Sequence, residues 1–394
     1  MSMNIQLRRK AISHVKRKYP LLVKDDFVKV PNYQEGDVVT LVDQEHHFLA
    51  TAYLATQNKG DGWVLSFQPN EKIDVAFFTK KFQLAYQERA HLYQDEATTA
   101  FRFFNGEGDG LGGLTIDYYA GYYLFSWYSE GIYRHHEMIL QGFKEALSDI
   151  IGIYQKFRYE LPKGQTRASF LWGNRAPEPL IIKENGIQYA TYLDEGMMTG
   201  IFLDQREVRR TIQEQYAAGK NVLNTFSYTG AFSVAAAMGG ATTTTSVDLA
   251  NRSLEKTKEQ FLVNQLPLES QKIYVMDVFD YFKYAVKKEL TFDTVILDPP
   301  SFARSKKRTF SAAKDYTSLL EDAIALTERN GIIVASTNAA QFNMDKFKEM
   351  IHQAFQRTGK AYQIEAEYQL PVDFKVATSF PEGNYLKVCI IRNK

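Results

Sequence analysis

Asp298-Pro299-Pro300-Ser301-Phe302 and the upstream run Asn224-Thr225-Phe226-Ser227-Tyr228-Thr229-Gly230 hold residue types that could do chemistry together. Two consecutive prolines fix φ and remove two backbone donors. The loop carbonyls and the Asp298 carboxylate are then left to accept hydrogen bonds from a bound group. Each segment follows an apolar run with the pattern of a buried parallel strand, Asn221–Phe226 and Phe292–Leu297, and each precedes a helix-like segment. Open α/β sheets bind ligands outside the carboxyl ends of their strands, so both segments should face one crevice. A rigid acceptor loop there suits a planar nitrogenous base, and methyl transfer is the reaction this pairing implies.

Two more acids extend the pattern. Asp248 ends the next strand, where a carboxylate would bind ribose hydroxyls. Asp277 ends the third, where it could accept a hydrogen bond from an adenine amino group. Either acid alone could instead cap a helix; with Asp298, three acids at successive strand ends are harder to assign to capping. The first turn lacks G-x-G-x-x-G, so the dinucleotide fingerprint is missing, although Gly230 permits close backbone approach. These features fit an adenosine-bearing ligand without a pyrophosphate, and S-adenosylmethionine is the natural cofactor. Gln205 and Arg206, in Leu203-Asp204-Gln205-Arg206, could grip its amino-acid end or form a helix-opening ion pair.

The elements that must position these residues alternate after Thr211. Strands Asn221–Phe226, Thr243–Asp248, Lys272–Met276, Phe292–Leu297 and Gly331–Ser336 are each followed by a helical pattern: Ala231–Met238, Asn251–Val263, Val278–Lys287, Ala312–Thr327 and Met344–Arg357. Two further strands, Gln363–Leu370 and Tyr385–Arg392, close the chain without a helix between them. This predicts an α/β domain over residues 179–394, a Rossmann-like, mostly parallel seven-stranded sheet covered on both faces. Ahead of it, residues 1–72 read as a small β-rich domain, with runs Asp37–Val42, Phe48–Ala55 and Trp63–Phe67. Residues 73–178 read as an α+β domain that opens with a helix near Asp74–Gln94 and ends at Pro177-Glu178-Pro179.

A chain of 394 residues should split into two or three domains. Net charge is only +1, so any argument for nucleic acid must be local. Two basic runs supply one: the opening Arg8, Arg9 and Lys10, and Arg304, Lys306, Lys307 and Arg308 just past the proline loop. Both could neutralise phosphates or be solvated faces. The single cysteine, Cys389, excludes a disulfide framework or a cysteine zinc site and fits a reducing cytoplasm. No apolar run is long enough to span a membrane and no signal core is present. His91 and His352 offer no metal-ligand spacing, so no metal is expected.

In order along the chain, Phe104-Asn105-Gly106-Glu107-Gly108-Asp109-Gly110-Leu111, Leu203–Arg206, Phe226–Gly230, Asp298-Pro299-Pro300 and Pro381-Glu382-Gly383-Asn384-Tyr385-Leu386-Lys387 resemble the large-subunit rRNA methyltransferase I family. The resemblance implies a PUA domain, a central domain and a class I methyltransferase domain, with S-adenosylmethionine as cofactor and ribosomal RNA as substrate. One departure matters. The family's cytosine-C5 members carry a cysteine just beyond the fifth strand, where this chain has Ala335-Ser336-Thr337-Asn338-Ala339-Ala340, placing Asn338 at that position. Cytosine C5 needs a thiolate to add to C6 first, and an amide cannot do that. The same loops also resemble the guanine-N7-methylating domain of a bifunctional large-subunit rRNA methyltransferase, at Phe302, Ser305 and Lys306 and at Ser336, Thr337 and Asn338.

The expectation is therefore a cytoplasmic, S-adenosylmethionine-dependent rRNA base methyltransferase without a cysteine nucleophile, acting on guanine N7 or an exocyclic amine. Asp298, Pro299, Pro300 and Asn338 are the expected catalytic residues. Gln205, Arg206, Phe226, Ser227, Tyr228, Thr229, Gly230, Asp248 and Asp277 would hold the cofactor, and Phe302, Arg304, Lys306, Lys307, Arg8, Arg9 and Lys10 the RNA. A homodimer is one further option. The alternatives left open are a cytosine-C5 enzyme and a non-catalytic rRNA-binding or assembly factor that retains the fold.

Overall fold

The computed structural model describes residues 3–304 and 309–394, and the chain divides into two compact units. One comprises the chain up to Ile182 with Tyr192–Thr199 and Val372–Gly383; the other comprises Lys183–Thr191, Gly200–Pro371 and Asn384–Lys394.

The first unit starts with a five-stranded sheet in the order Met3–Gln6, Val38–Val42, Phe48–Gln57, Gly60–Ser66, Leu21–Leu22. Alternating apolar residues such as Val39, Leu41, Ala50, Ala52 and Leu54 bury its inner face. One element was not anticipated, Met3–Gln6, which pairs parallel with Val38–Val42; the basic opening, for which a solvated helix face was one reading, is a helix over Arg9–Lys16 held by Ala11 and Val15. The long helix Val75–Tyr93 follows, its first turn capped by Asp74, whose carboxylate accepts from Phe77 N–H at 3.1 Å. It packs on a second sheet ordered Ala168–Gly173, Gly152–Phe157, Tyr122–Trp127, Leu114–Tyr119, Ala100–Asn105. Their shared core is aromatic, with the rings of Phe82, Phe103 and Tyr123 each in contact with that of Phe143. The edge strand Ala168–Gly173 was missed because its side chains stay half exposed and show no clean alternation.

The glycine-rich Gly106–Gly110 loop is pinned within this unit by Arg89. That guanidinium is 2 % exposed, pairs with Asp109 at 2.8 Å and donates to the Asp373 carbonyl at 2.7 Å. A buried cation with both a carboxylate and a carbonyl is the satisfied arrangement that low dielectric demands.

The second unit is built on seven strands: β1 (Asn221–Thr225), β2 (Thr243–Asp248), β3 (Gln271–Val275), β4 (Phe292–Leu297), β5 (Thr327–Thr337), β6 (Tyr362–Tyr368) and β7 (Lys387–Asn393). Their order is β3-β2-β1-β4-β5-β7-β6; the first five are parallel, and β7 is antiparallel to both β5 and β6. Helices α1 (Ala231–Met238), α2 (Ser253–Leu262), α3 (Val278–Lys287), α4 (Ala312–Leu326) and α5 (Met344–Thr358) follow β1 to β5. Both faces of the sheet are covered: Leu223, Val295 and Ile333 enter one apolar cluster, and Val222, Ile296 and Val334 another. Residues between β4 and α4 depart from expectation. Asp298-Pro299-Pro300 leads not straight into a helix but into a short hairpin, Phe302–Arg304 paired with Thr309–Ser311.

Candidate functional site

The strand order reverses beside β1, with β2 on one side and β4 on the other, and this is where open sheets form their crevice. The turn after β1 is tightly wound: Phe226, Tyr228 and Gly230 all have positive φ, at 53°, 53° and 78°. Non-glycine residues rarely hold that conformation, and it persists where surrounding contacts over-determine it. Here Ser227 N–H donates to the Val247 carbonyl at 3.0 Å and Gly230 N–H to the Ser227 carbonyl at 2.7 Å. Tyr228 Oη accepts from Gly200 N–H at 3.1 Å, while Thr229 Oγ1 donates to the Gly200 carbonyl at 2.6 Å. Any Cβ on residue 230 would stand 2.6 Å from Thr257 Cγ2, so glycine is required there twice over.

Asp248 closes the same turn from β2. Its Oδ2 accepts from Tyr228 N–H at 2.9 Å and its Oδ1 from Ala250 N–H at 2.8 Å. Burial raises its pKa, and the two backbone donors partly offset this. Asp277 caps α3, accepting from Phe279 N–H at 3.0 Å through Oδ1. The capping role that its sequence position allowed is thus real, and its Oδ2 has no donor among the described residues.

Asp298 lies at the end of β4 and faces Gln205 and Ser336. Gln205 Nε2 donates to Asp298 Oδ1 at 3.1 Å and to Ser336 Oγ at 2.7 Å. Burial pushes the Asp298 carboxyl up to about 6; the Ser336 hydroxyl and Gln205 amide pull down, and the nearby Asp204 carboxylate pushes up. Gln205 Oε1 is buried without a donor among the described residues. An orphaned acceptor beside strand ends that carry carboxylates suits the ammonium of an amino-acid group. Arg206 is buried next to it and pairs with Glu207 at 3.2 Å.

Pro299 is buried and Pro300 exposed. Past them, Ser301 Oγ donates to Asn338 Oδ1 at 2.5 Å, so the loops after β4 and β5 meet and Asn338 stands exposed beside the prolines. Phe302 follows at 63 % exposure, with Arg304 also exposed at the hairpin tip. Lys306 and Lys307 lie outside the described residues. Arg8, Arg9 and Lys10 belong to the other unit, where all three are exposed at the start of the Arg9–Lys16 helix. Cations there oppose the helix dipole, and no acidic residue occupies the first turn to compensate.

Three residues that the sequence placed only within family-like segments, with no role of their own, take part here. Ser336 anchors Gln205, and Tyr385 Oη donates to Asp204 Oδ2 at 2.8 Å. Lys387, opposite Thr337 across β5 and β7, is 3 % exposed and donates to the Tyr385 carbonyl at 2.6 Å, and burial lowers its pKa to about 8. The available signal was the Asn384-Tyr385-Leu386-Lys387 run, whose polar residues lead directly into an apolar strand. Cys389 is fully buried on β7 with its sulfur 3.8 Å from Met344, and burial pushes its thiol up to about 12. A separate trio in the first unit, Asp43, Glu45 and His47, brings its ligand atoms within 4.8 Å of one another, but on an exposed turn that Asp43 itself closes by accepting from Glu45 and His47 N–H.

Comparison with known proteins bears on both units. The model of the S-adenosylmethionine-dependent methyltransferase family matches residues 146–365, and that of the PUA-like domain matches residues 5–67. The chain is 54 % identical over 393 residues to the Bacillus subtilis (strain 168) protein named Putative ribosomal RNA large subunit methyltransferase YwbD, covering 99 % of each. It is 31 % identical over 382 residues to Ribosomal RNA large subunit methyltransferase I of Pseudoalteromonas translucida (strain TAC 125), covering 96 % of each. Among solved structures, the crystal structure of SMU.776 complexed with SAH superimposes with a TM-score of 0.92 at 43 % identity, covering 99 % of this chain and 100 % of that one.

Proposed function

The chain belongs to the S-adenosylmethionine-dependent methyltransferases of the large-subunit rRNA methyltransferase I kind, and from that premise we propose that it methylates a base of large-subunit ribosomal RNA without a cysteine nucleophile. One observation carries the second half. The residue beside Pro299-Pro300 at the end of β5 is Asn338, tied to Ser301, while the sole thiol is enclosed in the sheet and held protonated.

S-adenosylmethionine, when bound, supplies an electrophilic methyl group. Phe226–Gly230 would lie against the cofactor through backbone groups, Asp248 would take the ribose hydroxyls, and Asp277 would offer its open oxygen to the adenine edge. Gln205 and Arg206 would meet the amino-acid end. The roles of the base-facing residues follow from their chemistry. Pro299, Pro300 and Phe302 form a stiff apolar shelf for a flipped base. Asp298 accepts a hydrogen from the base, and Asn338 can both donate and accept. Guanine N7 already carries an in-plane lone pair, so alignment supplies most of the catalysis; it is the leading target, and an exocyclic amine the second. Arg304, Lys306 and Lys307 would hold the RNA backbone near the base, and residues 1–72, with Arg8, Arg9 and Lys10, would hold it elsewhere.

Incubating the protein with tritium-labelled cofactor and unmodified large-subunit rRNA tests this reading. Label in RNA, with no detergent-stable adduct on 5-fluorocytosine-substituted RNA, is the expected result. An adduct lost in Cys389→Ser would restore cytosine C5. RNA binding with no label at all would favour an assembly factor.

A further inference from the structure

A cleft in the first unit takes no part in the site above. It opens between the strand Gly60–Ser66 and the helix Val75–Tyr93, has a volume of about 480 Å³, and is rimmed by Gly110. Lys18 and Lys81 enter it over aromatic faces: Lys18 Nζ lies 4.3 Å from the Phe67 centroid and Lys81 Nζ 4.6 Å from that of Phe77. Lys80 stands exposed at its edge. The carboxylates that line it are already engaged: Glu71 accepts from the Ser66 hydroxyl, and Glu107 pairs with Lys59 at 4.0 Å. None of the three lysines is ion-paired among the described residues. Burial of Lys81 lowers its pKa to about 8, and the Glu71 and Asp109 carboxylates offset this only in part. Gly110 leaves room for it, since a Cβ there would come within 3.0 Å of Lys81 Nζ.

Three unpaired ammonium groups beside aromatic and aliphatic walls match a ligand with a compact anion joined to a flat apolar body. A volume of this size lies within the range of small-ligand pockets and accommodates a nucleotide. Lys18 also ends the exposed basic run Lys16-Arg17-Lys18, which continues from the Arg9–Lys16 helix with its Arg8, Arg9 and Lys10. A polyanionic strand following that run would be delivered to the cleft. We propose that the cleft is an RNA subsite that captures one unpaired nucleotide of the substrate, its phosphate on Lys18, Lys80 and Lys81 and its base against the Val64 and Leu84 walls. This rests on the reading of rRNA as substrate.

The test uses the full chain with saturating cofactor and a large-subunit rRNA transcript. A folded Lys18→Ala/Lys81→Ala variant should raise KM for RNA about tenfold and flatten its salt dependence, with kcat and cofactor affinity unchanged; Lys81→Arg should restore most of the KM loss. Titration with hexauridylate, uridine 5′-monophosphate and inorganic phosphate should give tightest binding for the hexamer, weakened in the double variant. An unchanged KM overturns the subsite, as does binding of the monophosphate or of phosphate alone as tightly as the hexamer. If the subsite fails while Asp298→Ala still depresses kcat on rRNA, the methyltransferase reading survives its loss.

Discussion

The loops that follow β1 and β4 leave the same sheet edge but are built in opposite ways. After β1 the chain is over-determined: three positive φ values, two hydrogen bonds to Gly200 and one to Asp248 leave the turn little freedom. What it offers a ligand is backbone, brought close because Gly230 has no side chain. After β4 the stiffness comes from covalent geometry, two prolines, and what is offered is side chains: Asp298, the bare ring of Phe302 and, tied on from the loop after β5, Asn338. The first design suits a group that must always sit in one place, the second a base that must arrive, be held and leave. Strain is therefore concentrated in the turn where the cofactor should bind, and exposed side chains in the loop where the substrate should.

The comparison breaks most visibly if the two loops are altered in turn. Asp298→Ala should lower kcat by about 10²–10³-fold, the usual loss for a preorganised polar group, with cofactor affinity within a few-fold by calorimetry. Gly230→Ala should do the reverse. A side chain forced to φ 78° against Thr257 should cost about 1–3 kcal/mol in denaturant titration and weaken the cofactor before it alters kcat. Asp248→Ala removes the carboxylate that bridges Tyr228 and Ala250 and should weaken cofactor binding roughly tenfold, the worth of a charge-assisted hydrogen bond.

Legibility followed the same division. The five β/α units were readable because period-2 and period-3.6 patterns alternate with turn residues between them. The acids at three strand ends were readable because a carboxylate after an apolar strand has few uses. Their partners were not. Gln205 was placed at the cofactor's amino-acid end, and nothing in the sequence says that its amide also bridges Asp298 and Ser336, residues 93 and 131 positions away. Capping by Asp277 was weighed, yet only coordinates show that one oxygen is spent on it. The strands Met3–Gln6 and Ala168–Gly173 and the hairpin around Phe302 escaped notice because edge and two-stranded elements bury too little surface to impose a pattern.

Two smaller effects sharpen the contrast. The Asp298 carboxyl, raised to about 6 by burial, is ionised above that pH and protonated below it. If the carboxylate is the accepting form, kcat should halve near pH 6 and fall further in acid, and Asp298→Asn should lower kcat but flatten that limb. Cys389→Ser should leave kcat within about twofold while costing about 1–3 kcal/mol of stability, because it buries a hydroxyl in an apolar strand. A kcat loss as large as that of Asp298→Ala would contradict the structural role assigned to the thiol.

The most direct measurement is the identity of the methylated nucleoside. Large-subunit rRNA methylated by the purified protein, digested and resolved by mass spectrometry, should yield 7-methylguanosine or a nucleoside methylated on an exocyclic amine. Recovery of 5-methylcytidine would contradict the account, because neither Asn338 nor the buried Cys389 thiol can form the covalent adduct that this product requires.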